Sequence, residues 1–110
     1  MNRTLDLRRL RYYLTICEQG SISAAARELN VAQPALSYHV SELERICKLS
    51  LLHRGPNGIQ LTPEGEVLRR HATAIIDRAD EAENELAMLS GKALPVERVR
   101  FAIITSLAAK

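Results

Sequence analysis

The residues best suited to chemistry lie together in the stretch QPALSYHVS. Gln33 carries an amide that can make paired hydrogen bonds to adenine, and the rigid apolar ring of Pro34 can touch a thymine methyl group. Ser37, Tyr38 and His39 follow as uncharged polar side chains that can approach bases or phosphates closely. This set of residue types points to recognition of DNA.

The chain offers little for catalysis or metal binding. Its histidines and cysteines, at positions 39, 53, 71, 17 and 47, have no metal-ligand spacing such as C-x₂-C or H-x₃-H. No glycine-rich phosphate loop or recognisable carboxylate pair occurs. The sequence therefore predicts no enzyme activity, no metal and no cofactor. Two cysteines are too few for a disulfide scaffold, so both are interpreted as small buried hydrophobic side chains in a reducing compartment.

A helix must hold the DNA-recognising side chains in place. Leu36, Val40 and Leu43 recur at helical spacing and predict a helix over about 33–47, with Pro34 tolerated in its first turn. Before it, the pattern predicts a helix at 6–18, a short helix ending near position 29 with Ser21 or Ser23 as its cap, and a turn at 30–32. This order predicts a helix-turn-helix.

A hairpin follows the third helix. Positions 51–52 and 59–61 are strand candidates, and GPNG between them is a strong turn signal in which Asn-Gly tolerates positive φ. The hairpin makes the predicted fold a winged helix-turn-helix. Thr62 and Pro63 then open a long helix, with a hydroxyl at the N-cap and proline at the first helical position.

The long helix is predicted to end near position 90 and carries a heptad stripe, interpreted as a dimer interface. Its apolar residues are spaced four and three apart in alternation: Leu68, Ala72, Ile75, Ala79, Ala82, Leu86 and Leu89. Val67 and Ile76 lie off this stripe and are expected to pack back on the winged domain.

Charge and hydropathy set the broad class. Residues 1–62 hold eight Arg/Lys and five Asp/Glu, hence +3, whereas residues 63–91 hold three and seven, hence −4. A basic front half favours a polyanionic partner. With no apolar run of about 20 residues and no signal-peptide pattern, the sequence predicts a cytoplasmic protein without a membrane contact.

Taken together, these stretches resemble the LysR-type transcriptional regulators over residues 5 to about 90. The stretches that carry the resemblance are LRRLRYYLTICEQGSISAAARELNVAQPALSYHVSELE, LLHR and IQLTPEGE. The resemblance implies a winged helix-turn-helix DNA-binding domain, a linker helix through which members dimerise, and a C-terminal domain that senses a small-molecule inducer. VRFAIITSLAA resembles the first strand of that domain, so the sequence is interpreted as truncated or as a naturally short form.

The resemblance also implies roles for individual residues. It places Gln33 and Pro34 at bases and Ser37 at a phosphate. Ser23 matches a phosphate-binding helix start. Arg54 matches the wing arginine of the family, which meets a phosphate or the minor groove.

Departures from the family pattern carry expectations of their own. Tyr38 stands where arginine is frequent, so a charged contact is missing, and His39 occupies a variable position that could donate or accept. Thr62 is expected to cap the linker helix close to the DNA backbone. Ala32 is counted among the DNA-binding residues at the start of the helix predicted over about 33–47 and replaces the usual Ser or Thr cap, at a cost of about 1 kcal/mol. Lys48 replaces a customary glycine, at a similar cost of about 1 kcal/mol if its backbone is left-handed.

The predicted organisation is a mainly α chain with a winged domain at 1–62, a dimerisation helix at 63–91, and a hinge with the start of an effector-binding domain at 92–110. The predicted partners are double-stranded DNA read as an interrupted palindrome, a second copy of the chain (a tetramer at full length), and an inducer bound only by the absent domain. The alternative is a coiled-coil adaptor with only non-specific affinity for DNA.

Overall fold

The computed structural model describes residues 5–91 of the 110-residue chain. Its elements in chain order are α1 (Leu7–Gln19), α2 (Ile22–Leu29), α3 (Gln33–Cys47), β1 (Leu52–Gly55), β2 (Gly58–Leu61) and α4 (Pro63–Leu89). This order confirms the predicted mainly α fold with a two-stranded wing and a long final helix. The hinge and strand predicted within 92–110 lie outside the described residues.

Caps define the ends of the first two helices. The Asp6 carboxylate caps α1, and the Ser21 hydroxyl caps α2 by accepting a first-turn backbone N–H at 3.1 Å. Ser21, rather than Ser23, is therefore the cap. Gly20 and Asn30 end these helices with left-handed φ values of 68° and 56°, a conformation that these two residue types tolerate.

The predicted bounds of α3 are confirmed. Pro34 lies in its first turn, where no intrahelical N–H bond is lost. Ala32 precedes the helix and supplies no side-chain cap. Lys48 ends it with φ 58°, so the left-handed conformation expected at this position is present on a residue with a Cβ.

The core lies where the first three helices meet the residues that precede the wing. It is formed by almost fully buried side chains, among them Tyr13, Ile16, Ala25, Leu36, Val40, Leu43 and Leu51. Full burial of one large apolar side chain contributes about 1.5–3 kcal/mol, so this cluster fixes the position of α3. Small alanines on α2 let the helices approach closely.

The wing is an antiparallel hairpin in which Leu52 pairs with Leu61, with a two-residue turn at 56–57. The positive φ falls on Gly58, at 106°, rather than on the asparagine before it. The Ile59 N–H donates to the Gly20 carbonyl at 2.9 Å, which ties the wing to the corner between α1 and α2.

The wing is also tied to α3 and to α4. The Glu44 carboxylate accepts the N–H groups of Leu51 at 2.8 Å and Leu52 at 3.2 Å. The Thr62 hydroxyl accepts the Gly65 N–H at 2.9 Å, which confirms it as the α4 cap, and donates to the Ser50 carbonyl at 2.6 Å. These contacts fix the residues at the base of the wing against the C-terminal part of α3 and the start of α4.

The first half of α4 packs within the same unit as α1–α3. Ala72 and Ile76 are buried with Leu10, and Leu68 packs against this cluster and the main core. The expectation that Ile76 packs inward is confirmed, whereas the same expectation for Val67 is wrong, since Val67 is exposed.

The assignment of Leu68 and Ala72 to a dimer interface requires correction. Ala72 has no exposed surface and Leu68 is largely occupied by the core, because both face α1 of their own chain. The chain divides into two compact units, the first ending at Ile76 and the second beginning at Asp77. The exposed part of the apolar stripe therefore starts at Ile75.

Candidate nucleic-acid interface

The start of α3 is an exposed, partly unsatisfied helix N-terminus. Gln33 and Pro34 are exposed, while Leu36 is fully buried and anchors the turn that carries them. Because the methyl side chain of Ala32 cannot accept a hydrogen bond, first-turn N–H groups of α3 are left for an acceptor from outside the chain. The positive end of the helix dipole favours an anion at the same place.

One outward stripe runs the length of α3. Pro34, Tyr38, Ser41 and Arg45 are spaced four, three and four residues apart and lie opposite the buried positions. All four are exposed, and Ser37 lies half-buried beside them. Sequence reasoning missed Arg45, although its helical spacing from Tyr38 was a sufficient signal.

His39 is held by α1. The Arg9 Nε–H donates to His39 Nδ1 at 3.4 Å, and the Tyr12 ring meets the imidazole edge-on with centroids 5.3 Å apart. Tyr38 makes a similar edge contact at 5.6 Å. His39 is therefore a packing contact between α1 and α3, and its predicted DNA contact stays a prediction.

An open groove of about 520 Å³ lies between α2 and the start of α3. Ser23, Arg27, Asn30 and Gln33 are among the residues that line it. Ser23 is exposed and its hydroxyl lies 3.0 Å from that of Ser21. Sequence reasoning also missed Arg27, an exposed cation one helical turn after Ser23. The groove thus joins a hydroxyl, an amide and a guanidinium on one surface.

The wing contributes a second exposed cation. Arg54 lies on β1 opposite Ile59, and its side chain is exposed. Thr62, by contrast, is only 4% exposed, and its hydroxyl is occupied by two internal hydrogen bonds. The prediction that Thr62 touches DNA is therefore wrong for its side chain, which has a structural role at the start of α4.

The two side chains at the core whose pKa values are raised, Tyr13 and Cys17, do not belong to this surface. Burial raises the pKa of the Cys17 thiol to about 11 and raises that of Tyr13 still further. Among residues 5–91, no three His, Cys, Asp or Glu side chains are grouped to hold a metal ion. No helix in this part of the chain is both long and apolar enough to cross a membrane.

The fold and this surface define a winged helix-turn-helix protein with its second motif helix exposed at the N-terminal end. Residues 7–66 match the model of the bacterial regulatory helix-turn-helix proteins of the LysR family. Since this match covers more than half of the chain, the chain belongs to the LysR family, as the sequence resemblance predicts.

Curated relatives are transcriptional regulators. The chain is 39% identical over 79 residues to the nitrogen assimilation regulatory protein nac of Escherichia coli (strain K12), covering 72% of this chain and 26% of that protein. It is 36% identical over 98 residues to the HTH-type transcriptional regulator YdcI of the same organism, covering 89% and 32%. The chain thus spans a third or less of the length of these relatives.

Solved structures with the same fold include complexes with DNA. The BenM DNA-binding domain bound to catB site 1 DNA matches with a TM-score of 0.75 and 30% identity, over 81% of this chain and all of that one. The CbnR DNA-binding domain bound to DNA matches with a TM-score of 0.71 and 29% identity, over 78% of this chain and 99% of that one.

Proposed function

We propose that this chain binds double-stranded DNA sequence-specifically, as the DNA-binding and dimerisation part of a LysR-type transcriptional regulator. The observation that carries the proposal is the start of α3, where exposed Gln33 and Pro34 project from a helix fixed by the buried Leu36. In a helix-turn-helix, the N-terminal residues of this helix contact base edges in the major groove. The family match and the DNA complexes of BenM and CbnR support it.

Contacts to the DNA backbone surround the base-reading residues in this proposal. The uncapped α3 N-terminus and Ser37 would meet one phosphate, and Ser23 with Arg27 would meet another along the groove. Arg54 would place the wing at a phosphate or in the adjacent minor groove. Because most of these donors are neutral or single cations, we expect only a modest affinity for each half-site.

We also propose that two chains dimerise through α4 and read an interrupted palindrome. The exposed part of the apolar stripe supports this: Leu86 is 66% exposed and Leu89 is 84% exposed. Exposed apolar side chains in sequence-regular positions favour a partner helix. The proposed dimer residues are those beyond the core: Ile75, Ala79, Ala82, Leu86 and Leu89.

The remaining parts of the proposal concern the whole regulator. Relatives nearly three times as long as this chain support an effector-binding domain that would sense a small-molecule inducer, and a tetramer at full length. The family supports action in the cytoplasm and a regulatory rather than enzymatic role. A coiled-coil adaptor would share the apolar stripe but would bind DNA of any sequence equally.

Selection of bound sequences from a random duplex library tests this function directly. We expect enrichment of an interrupted palindrome whose half-sites are about 34 Å apart or a multiple of it. Mass measurement of the complex should give two chains per duplex. A library without any enriched sequence would refute sequence-specific recognition and favour the adaptor.

Two variants then separate base reading from backbone contact. Gln33→Ala should cost about 1–3 kcal/mol on the selected site and relax the preference at one base pair. Arg54→Ala should weaken binding to all sequences and lower the salt slope by about one. Anisotropy titrations at several salt concentrations measure both effects. Equal loss on every sequence for Gln33→Ala would exclude it as a base-reading residue.

A further inference from the structure

The guanidinium of Arg45, on the outward stripe of α3, is exposed but is bonded to a carboxylate. Arg45 lies two helical turns after Tyr38, on the same face as Pro34, and its side chain is 68% exposed. It is the one positively charged member of the stripe, and Tyr38 supplies no charge one turn earlier. Attraction of this face to a DNA phosphate therefore depends on what Arg45 is bonded to.

Arg45 is held by a neighbouring carboxylate. Its Nε–H donates to Glu42 Oε2 at 2.6 Å and its Nη2–H to Glu42 Oε1 at 3.2 Å. A guanidinium binds a phosphate through the same bidentate arrangement of two parallel hydrogen bonds. The Glu42 side chain is only 18% exposed, beside the far more exposed guanidinium. The hydrogen bond from Arg45 lowers the pKa of Glu42, and the charge of Arg9 contributes in the same direction.

We propose that the Glu42 carboxylate occupies Arg45 as a DNA phosphate would, and so lowers the affinity of α3 for DNA of any sequence. The inference rests on the proposed DNA-binding function. Two effects act in the same direction: a phosphate must displace Glu42 before it can bind the Nε–Nη2 edge of Arg45, and the negative charge of Glu42 is itself repelled by the DNA backbone. Glu42 thereby restrains non-specific binding at the face that reads sequence.

The test compares Glu42→Gln with a matched control, Glu66→Gln. Glu66 and Arg69 form a pair of the same order and spacing on α4, with two N–H groups of Arg69 bonded to the carboxylate. Both variants remove one negative charge from the chain. They release arginines on different helices, so a simple effect of net charge would appear in both. Glu66 lies in the first turn of α4, so the circular dichroism of Glu66→Gln also checks that this helix is intact.

The probe is a fluorescently labelled mixed-sequence duplex, titrated by anisotropy at several salt concentrations. Glu42→Gln should tighten binding by about twofold to tenfold and steepen the salt slope by about one, because Arg45 becomes free to neutralise a further phosphate. Glu66→Gln should change both quantities clearly less. Arg45→Gln added to Glu42→Gln should cancel most of the gain, a coupling that a double-mutant cycle measures.

Other results overturn the inference. An equal gain for Glu42→Gln and Glu66→Gln would reduce the effect to net charge, and weaker binding by Glu42→Gln would make Glu42 itself a DNA contact. If the parent chain still selects an operator in those cases, the proposed function stands and only this inference fails. Absence of DNA binding by every protein at low salt would refute both. Far-ultraviolet circular dichroism confirms that each variant is folded.

Discussion

Gly65 allows α4 to lie against the segment that precedes the wing. A Cβ at this position would overlap the Leu51 carbonyl oxygen and lie 2.8 Å from the Tyr13 hydroxyl. Both contacts are far closer than van der Waals distance, and the closer atom belongs to the backbone. Gly65→Ala can therefore be accommodated only if the first turn of α4 moves.

That movement breaks two hydrogen bonds whose contribution to the free energy of unfolding can be estimated. The Tyr13 hydroxyl donates to the Gly65 carbonyl at 2.7 Å, and the Gly65 N–H donates to the Thr62 hydroxyl at 2.9 Å. Overpacking costs about 1–3 kcal/mol, and each buried bond lost adds about 1–3 kcal/mol. Alanine returns about 1 kcal/mol through its higher helix propensity. With both bonds lost, the free energy of unfolding should fall by about 2–8 kcal/mol, a large part of a domain's total stability.

Urea unfolding followed by circular dichroism measures this change, at one protein concentration because self-association shifts the midpoint. Gly20→Ala is the matched control: a Cβ there meets nothing within 4 Å, so only the left-handed φ costs about 1 kcal/mol. Tyr13→Phe combined with Gly65→Ala should cost less than the sum of the two, because they break one shared contact. A loss for Gly65→Ala no larger than for Gly20→Ala would refute the steric argument.

Three further outcomes are expected. Lys48→Gly should raise the free energy of unfolding by about 1 kcal/mol, since it relieves a left-handed residue with a Cβ; an unchanged urea midpoint would contradict this. Burial raises the pKa of Cys17 from 9.0 to about 11, so the folded chain holds the thiol proton more tightly than the unfolded chain does. The protonated thiol therefore contributes to the free energy of unfolding below pH 9.0, and this contribution is lost as the pH rises towards 11. Urea unfolding across that range should show stability falling, and less so in Cys17→Ala. Leu86→Lys should weaken dimerisation by about tenfold or more in sedimentation equilibrium, whereas Val67→Lys, an exposed position off the stripe, should not.

Local signals in the chain were enough for most elements. Pro34, the apolar spacing of α3 and the cap at Thr62 predicted helix boundaries correctly, because caps and first-turn residues act over one turn of backbone. The turn residues predicted the wing for the same reason, although the positive φ fell on Gly58. The exposed Gln33 at the start of α3 also followed from this local chemistry.

The sequence did not reveal those contacts in the candidate site whose partner comes from another element, nor one partner that lies beside a predicted residue. His39 is held by Arg9 and Tyr12 from a helix about thirty positions earlier, which no spacing along α3 reveals. Thr62 is buried because Ser50 accepts its hydroxyl across the wing. Arg45 is paired with Glu42 on its own helix, so its place in the exposed stripe follows from the helical spacing that already relates Pro34 to Tyr38.

The sequence by itself determined the family, the order of the elements and the helix that carries the exposed residues proposed to read DNA. Tertiary structure alone decided how the apolar stripe of α4 is divided. Ala72 is buried against Leu10 of the same chain, while Leu86 is exposed. An intramolecular core and a partner-facing stripe demand the same spacing of apolar residues, since both bury one face of a helix. Only the packing of α1 against the first half of α4 distinguishes the two.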